Sequence, residues 1–419
     1  MEQGFPPRRE YERDRRSVRR HRLAALGLGL GLASASALTW GVAFGEVEPV
    51  EPTVTSTLPR WRAPGGILVV RGTATPGETV TLFVGNRKRT TAAANGGVFR
   101  FRVRAPSVEG LYAVAVEVAR VPVVRLDLGR FRVRPARIAA VGDVNLGDRP
   151  GVAIATYGAR YPWLSVARVL RAADVAIANL ECSISTRGYP IPGKQYTFRG
   201  APSSLKEMAR YAGVDTVTVA NNHALDYGRL AFADTLANAH RFGMKTIGGG
   251  RSLDVSRRPA IYRLGGIRIA FFGYSDVRPL GFDAGSSTSG TAPAFPSYIS
   301  HDVARAKRHG IDVVVVYFHW GGERAFRPSS RHRSLAAVAF QAGASVVLGA
   351  HPHVLQPIER PRPRRLISWS LGNFVFGATT AGTERTGILR LRVGHSGVLS
   401  HRFRHARIGG AFGIQPVLG

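Results

Sequence analysis

Ile138-Ala-Ala-Val-Gly-Asp143-Val-Asn145 is an apolar run that stops abruptly in a carboxylate and an amide, and the chain uses the same device four more times. Val175-Ala-Ile-Ala stops in Asn179-Leu-Glu181, and Thr216-Val-Thr-Val-Ala stops in Asn221-Asn222-His223. Val313-Val-Val-Val-Tyr-Phe stops in His319-Trp-Gly-Gly-Glu323, and Val346-Val-Leu-Gly-Ala stops in His351-Pro-His353. Short apolar runs bounded by polar residues read as buried strands. Between them lie amphipathic stretches, Trp163–Ala173, Ser204–Ala212, Leu230–Phe242, Asp302–His309 and His332–Ala342, which read as helices. Strand–helix alternation on this scale predicts an α/β fold with a mostly parallel core.

Ligands of such sheets bind where the strands stop at their carboxyl ends. Taken singly, each of these residues has an ordinary explanation. An Asp after Val-Gly is commonly a turn or cap residue, and a lone His is commonly a hydrogen-bonded structural group. Five strand ends that all carry metal-competent side chains are hard to obtain by chance. His351 and His353, two apart, are expected to point the same way on an extended strand. Carboxylate, amide and imidazole donors without thiolate suit Mn²⁺, Fe²⁺ or Zn²⁺ in a working site better than a structural zinc. Cys182, the single cysteine, sits beside Glu181 but would face the other side of the strand, so it reads as packing; it also excludes an internal disulfide.

Working outward, residues 136–419 hold this α/β region. The tail strands are expected over Leu366–Phe376 and Ile388–Val393. A hairpin is expected over Ile261–Leu264 and Ile267–Phe272, closed by Gly265-Gly266. The Gly-, Ser- and Pro-rich stretch Arg278–Ser297 reads as a mobile loop near the site. Upstream, residues 65–135 alternate with period two over Ile67–Val70, Thr79–Val84, Val98–Val103, Tyr112–Val118 and Leu126–Val133, which predicts a small all-β sandwich. Its segment Gly72-Thr-Ala-Thr-Pro-Gly-Glu-Thr-Val80 resembles bacterial Ig-like modules of surface proteins. Residues 45–64, rich in Pro and Thr, read as a linker.

Residues 1–22 are Arg-rich and residues 23–44 carry no charge, long enough to cross a bilayer as a helix. The basic flank places the N-terminus inside and the rest of the chain outside the cytoplasm. Two outcomes fit: a retained single-pass signal anchor in the cell membrane, which the uncharged continuation through Trp40 and Phe44 favours, or cleavage near Ala35-Ser36-Ala37 and secretion. The whole chain of 419 residues carries 58 Lys+Arg against 27 Asp+Glu, a formal charge of +31. Five of those cations are lysines (Lys88, Lys194, Lys206, Lys245, Lys307) and the arginines are scattered. A nucleic-acid binder would gather them on one face, so nucleic acid is not an expected partner.

The series Gly-Asp143-Val-Asn-Leu-Gly, Asn179-Leu-Glu181, Ala-Asn221-Asn222-His223-Ala-Leu-Asp226-Tyr-Gly, His319-Trp-Gly-Gly-Glu323, Gly-Ala-His351-Pro-His353-Val-Leu-Gln356-Pro-Ile-Glu359 and Ser370-Leu-Gly-Asn373-Phe resembles the CapA-like family of capsule and poly-γ-glutamate synthesis proteins. That family in turn looks like a branch of the calcineurin-like metallophosphoesterases. The resemblance implies a β-sandwich flanked by helices, with Asp143, Glu181, Asn222, His319, His351 and His353 in the metal-ligand positions. His223 matches the residue that assists the leaving group, with Asp226 as its orienter. Gly193-Lys194-Gln-Tyr-Thr-Phe198-Arg199 matches a further family motif, which makes Lys194 and Arg199 the candidates for holding an anionic substrate. One departure stands out. Phosphoesterases carry a His where this chain has Asn145, so one metal or two remain open.

Two functions from different classes follow. One is a membrane-anchored, exported metal-dependent hydrolase or transferase acting on an anionic envelope polymer, with Glu323 and Glu359 as outer partners of the ligating histidines. The other is a non-catalytic subunit that binds or exports the polymer beside other capsule synthesis subunits. A general metal-dependent phosphodiesterase is a third.

Overall fold

The structure, a computed structural model, describes residues 48–93, 96–378 and 380–419. The basic tail at 1–22 and the uncharged stretch at 23–44 lie outside the described residues. Among the described residues, no helix is long and apolar enough to cross a membrane.

All five apolar runs become strands, and they divide between two sheets. Ala136–Val144, Val175–Leu180, Thr216–Thr218 and Lys245–Ile247 run parallel in an eight-stranded sheet. Ile267–Ser275, Val313–His319, Val346–Ala350 and Leu366–Ser368 run parallel in a six-stranded sheet. The sheets pack face to face, with Ile138, Ala140 and Ile177 of the first against Ile269, Phe271, Val315, Tyr317 and Leu348 of the second. The alternate residues turn outward under helices. Val141 and Ala178 meet Leu205, Met208 and Phe232 from helices Pro202–Arg210 and Gly228–Arg241. Val314, Val316 and Phe318 meet Ile299, Val303, Leu335 and Ala339 from Pro296–Arg308 and Ser330–Ala342. Val313–His319 is therefore buried along its whole length, which is why its sequence shows no polar alternation. The Tyr317 hydroxyl donates to the Val141 carbonyl at 2.8 Å, tying the sheets together just below their carboxyl ends.

The double-glycine hairpin forms as its sequence requires. Ala260–Leu264 pairs antiparallel with Ile267–Ser275, and Gly265 and Gly266 take φ of 54° and 79°. Two consecutive positive φ values suit glycine and match the twist of the flanking strands. The turn also docks the upstream module: Ala63 N–H donates to the Gly265 carbonyl at 2.7 Å and Ile67 N–H to that of Gly266 at 3.0 Å.

That module is a two-sheet sandwich around Leu68, Val70, Leu82, Phe99, Val116 and Phe131. Strands Thr53–Val54, Ile67–Thr73 and Val98–Arg104 form one sheet; Trp61–Arg62, Val124–Val133, Gly110–Val118, Thr79–Val84 and Arg87–Ala92 form the other. The described part of the expected linker thus supplies a short strand to each sheet. Arg87–Ala92 had no apolar face to reveal it; it is an edge strand exposed along nearly its whole length.

Two other expectations change, and one helix was not expected. Leu366–Phe376 is two strands: Leu366–Ser368 belongs to the six-stranded sheet, while Asn373–Val375 crosses over to pair with Ala136–Val144. The expected mobile loop at Arg278–Ser297 is packed, with Phe282, Ala284, Ala292 and Ala294 buried and Gly290–Thr291 paired to Gly249–Gly250. A helix at Asp148–Tyr157 follows directly on the first strand end, where Pro150 and Gly151 obscured it.

Candidate metal centre

The carboxyl ends of the parallel strands meet at one rim, and the side chains there are almost all buried. Asp143, Glu181, His319 and His351 are at most 5% exposed. Ligating atoms of Asp143, Glu181 and His319 lie within 4.8 Å of one another, as do those of Glu181, His351 and His353. Glu181 is common to both groups. Asn222 joins them through its Oδ1, 2.7 Å from His319 Nε2. All six residues singled out as ligands are therefore brought together.

The histidines arrive differently from expectation. The strand Val346–Ala350 ends before His351, and His351 and His353 take φ of 93° and 59°. They are not two same-side positions of an extended strand; they converge through a turn of left-handed residues. Such a conformation costs a non-glycine residue on the order of 1–3 kcal/mol and persists where the surroundings enforce it.

Asn179 holds the cluster in register. Its Nδ2 donates to Asp143 Oδ1 at 2.8 Å, lies 3.3 Å from Glu181 Oε2 and 3.2 Å from His319 Nδ1. One amide with two protons faces three acceptors, so the group is short of hydrogen-bond donors. Glu181 Oε1 and His351 Nδ1 are buried with no hydrogen-bond partner among the described residues. A buried orphan lone pair is costly unless something binds it. Burial, together with the adjacent Asp143 charge, pushes the Glu181 carboxyl well above the usual range. Burial also holds His319 well below its ordinary value and His351 at about 3, so both imidazoles are neutral. Asp143 resists the upward push of its own burial because His353, 3.3 Å away, favours its charged form. Neutral imidazoles, paired carboxylates and orphaned lone pairs are what a divalent cation satisfies. The donor set fits a metal.

Beside the cluster stands a proton-transfer pair. His223 Nδ1 lies 2.7 Å from Asp226 Oδ2, and the ring stacks on Phe198 with centroids 4.3 Å apart. Asp226, fully buried, also accepts from the Phe198 N–H at 2.7 Å. Asn221 connects this pair to the cluster: its Nδ2 donates to Asn179 Oδ1 at 3.0 Å, and its Oδ1 accepts the His223 N–H at 3.0 Å. Asn179 and Asn221 belong to the motif series, but their part as connectors was not legible there. Asn373 is similar, its Oδ1 2.8 Å from His353 Nδ1.

The two candidate anion-binding residues part ways. Lys194 is committed inward; its Nζ pairs with Asp226 and donates to the Asn222 carbonyl. Arg199 is exposed, lies over the Tyr227 ring at 4.4 Å and makes one hydrogen bond to the Gly188 carbonyl, leaving most of its guanidinium available. Asn145 Oδ1 accepts the Gly147 N–H at 2.8 Å, closing the turn into the helix that follows. Glu323 and Glu359 are exposed, and the partners that orient His319 and His353 are Asn179 and Asn373 instead. Cys182 is buried in the outer core with Leu146 N–H on its sulfur at 3.3 Å, and its thiol is pushed up to about 12. It is a packing residue.

Fold and site define an α/β protein whose strand ends assemble a buried carboxylate–amide–imidazole cluster suited to a divalent metal. Residues 137–378 match the family described as bacterial capsule synthesis protein PGA_cap, and the chain belongs to that family. It is 32% identical over 259 residues to the PGA biosynthesis protein CapA of Bacillus subtilis, a match covering 61% of this chain and 67% of that one. It is 27% identical over 263 residues to the capsule biosynthesis protein CapA of Bacillus anthracis, covering 61% and 64%. Among solved structures, the NAD nucleotidase of Haemophilus influenzae is similar over 68% of this chain and 53% of its own, with 10% identity and a TM-score of 0.38.

Proposed function

We propose that this chain is a metal-dependent hydrolase or transferase of the metallophosphoesterase type, acting on poly-γ-glutamate or a similar anionic polymer during capsule synthesis. The observation that carries the reading is the buried cluster with Glu181 Oε1 and His351 Nδ1 left without a hydrogen bond. Asp143, Glu181, Asn222, His319, His351 and His353 would hold the cation. When bound, a divalent ion polarises a carbonyl or phosphoryl oxygen, or lowers the pKa of water. Because Asn145 is engaged by Gly147, one metal is the simpler assignment. His223 stands ready to give or take a proton at Nε2, since Nδ1 is held by Asp226. Lys194 holds Asp226 in place, and Arg199 offers two parallel N–H groups to a carboxylate or phosphate.

The proposed setting is the outer face of the cell membrane, with residues 23–44 as the anchor. The test is complementation of a capsule-deficient strain by Asp143→Ala and His353→Ala, alongside assay of the purified chain on γ-glutamyl and chromogenic phosphoester substrates. Loss of polymer with an intact fold supports chemistry at the cluster. Full complementation by both variants would refute it and leave a non-catalytic polymer-handling role.

A further inference from the structure

The arginines of the upstream module are not scattered. From Thr79 to Val108 the sequence contains no Asp or Glu, yet it carries Arg87, Lys88, Arg89, Arg100, Arg102 and Arg104. The fold gathers all six. Arg87–Ala92 is the edge of the five-stranded sheet and Val98–Arg104 the edge of the three-stranded sheet, and the two sheets part there. The opening is a groove of about 820 Å³ with Leu82, Val84, Phe101 and Val103 as an apolar floor; Arg87 and Arg89, paired with Val84 and Leu82, share the floor's face, while Lys88, Arg100, Arg102 and Arg104 stand on the outer faces along its rim.

Among the described residues, no carboxylate pairs with these charges. The flanking carboxylates are engaged elsewhere, Glu78 by Arg120 and Glu109 by Arg392. Among the described residues, Arg87, Lys88, Arg89, Arg100 and Arg102 form no ion pair, and all are exposed. Arg100 also lies directly across from Arg71 on the neighbouring strand. Like charges placed opposite one another destabilise a sheet, so folding alone does not explain them. Guarding an open sheet edge needs a charge or a proline, not a one-signed wall on both sides of a groove. Arg100, Arg102 and Arg104 share one face of their strand, and a row of three such residues is about 13 Å long. That suits a chain with repeated charges better than a single small anion.

We infer that this groove binds an extended polycarboxylate chain, presenting or retaining the polymer whose processing was assigned above to the metal centre. The inference rests on that reading for the identity of the polymer, but the two fail separately. The experiment measures binding of fluorescein-labelled poly-γ-glutamate to the purified full chain at about 0.15 M salt, with neutral dextran and inorganic polyphosphate as comparators. K88S/R100S/R102S is expected to weaken binding at least tenfold, and K88E/R100E/R102E to abolish it. K88R/R100K/R102K is expected to bind as the native chain does, which separates charge from fold. Unchanged binding in the charge-reversed variant, equal binding of dextran, or tighter binding of polyphosphate would overturn the assignment. No hydrolysis by the native chain, with groove-dependent binding intact, would refute the enzyme and leave the groove standing.

Discussion

The two sheets of the α/β region bring different chemistry to one rim. The eight-stranded sheet contributes carboxylates and amides: Asp143 and Asn179 on strands, then Glu181, Asn221 and Asn222 just beyond them. The six-stranded sheet contributes imidazoles: His319 on a strand end, and His351 and His353 in the turn after another. Neither sheet holds a complete ligand set. The site exists only where the sheets pack, and the Tyr317–Val141 hydrogen bond and the crossing strand Asn373–Val375 fix that packing beside the ligands. A candidate metal centre divided in this way makes metal affinity a readout of sheet-to-sheet geometry.

The comparison breaks most severely when either half of the ligand set is removed. Asp143→Ala and His351→Ala, one from each sheet, are each expected to cost more than the 10–100-fold typical of losing an orienting partner. Initial rates on a γ-glutamyl or phosphoester substrate, with circular dichroism to verify the fold, check this. Asn179→Ala is expected to fall within that range of about 10–100-fold in metal affinity, because it orients ligands without being one. Titration with Mn²⁺ or Zn²⁺ would show it, and Asn373→Ala should affect the His353 side alone.

Packing changes come next. At Gly66 a Cβ would lie 2.1 Å from the Gly265 carbonyl oxygen, so Gly66→Ala is expected to destabilise by about 1–3 kcal/mol through overpacking. Thermal unfolding measures it. Tyr317→Phe is expected to cost about 1 kcal/mol and to weaken metal binding as well, since the bond it removes joins the two halves. The smallest effect belongs to the module. Glu78 is held below the usual carboxylate range by its hydrogen bond to Arg120. That stability is present above the unfolded carboxylate value and is lost as pH falls through the folded one. Glu78→Gln should therefore cost at most about 1 kcal/mol near neutrality and converge with the native chain in acid.

The strand ends of the candidate metal centre were legible because burial on both faces leaves a continuous apolar run, and a polar residue stopping such a run is visible in one dimension. Asn179, Asn221 and Asn373 were visible as residues but not as connectors, because their partners lie on other strands or on the other sheet. The geometry of His351 and His353 was missed for a related reason. A two-residue spacing suggests a strand, while the backbone in fact turns through positive φ. Arg87–Ala92 escaped because an edge strand with no buried face lacks the alternation that reveals strands. The groove it lines became apparent only when the fold set it beside Val98–Arg104; along the sequence its cations look like part of a general arginine excess.

The most direct test of a site shared between sheets is the metal content of the purified chain, measured by plasma mass spectrometry against protein concentration. One equivalent of a divalent metal is expected in the native chain, and a large loss in both Asp143→Ala and His351→Ala, with the fold retained. A folded native chain that takes up no Mn²⁺, Fe²⁺ or Zn²⁺, or a variant in either sheet that keeps its full complement, would contradict it.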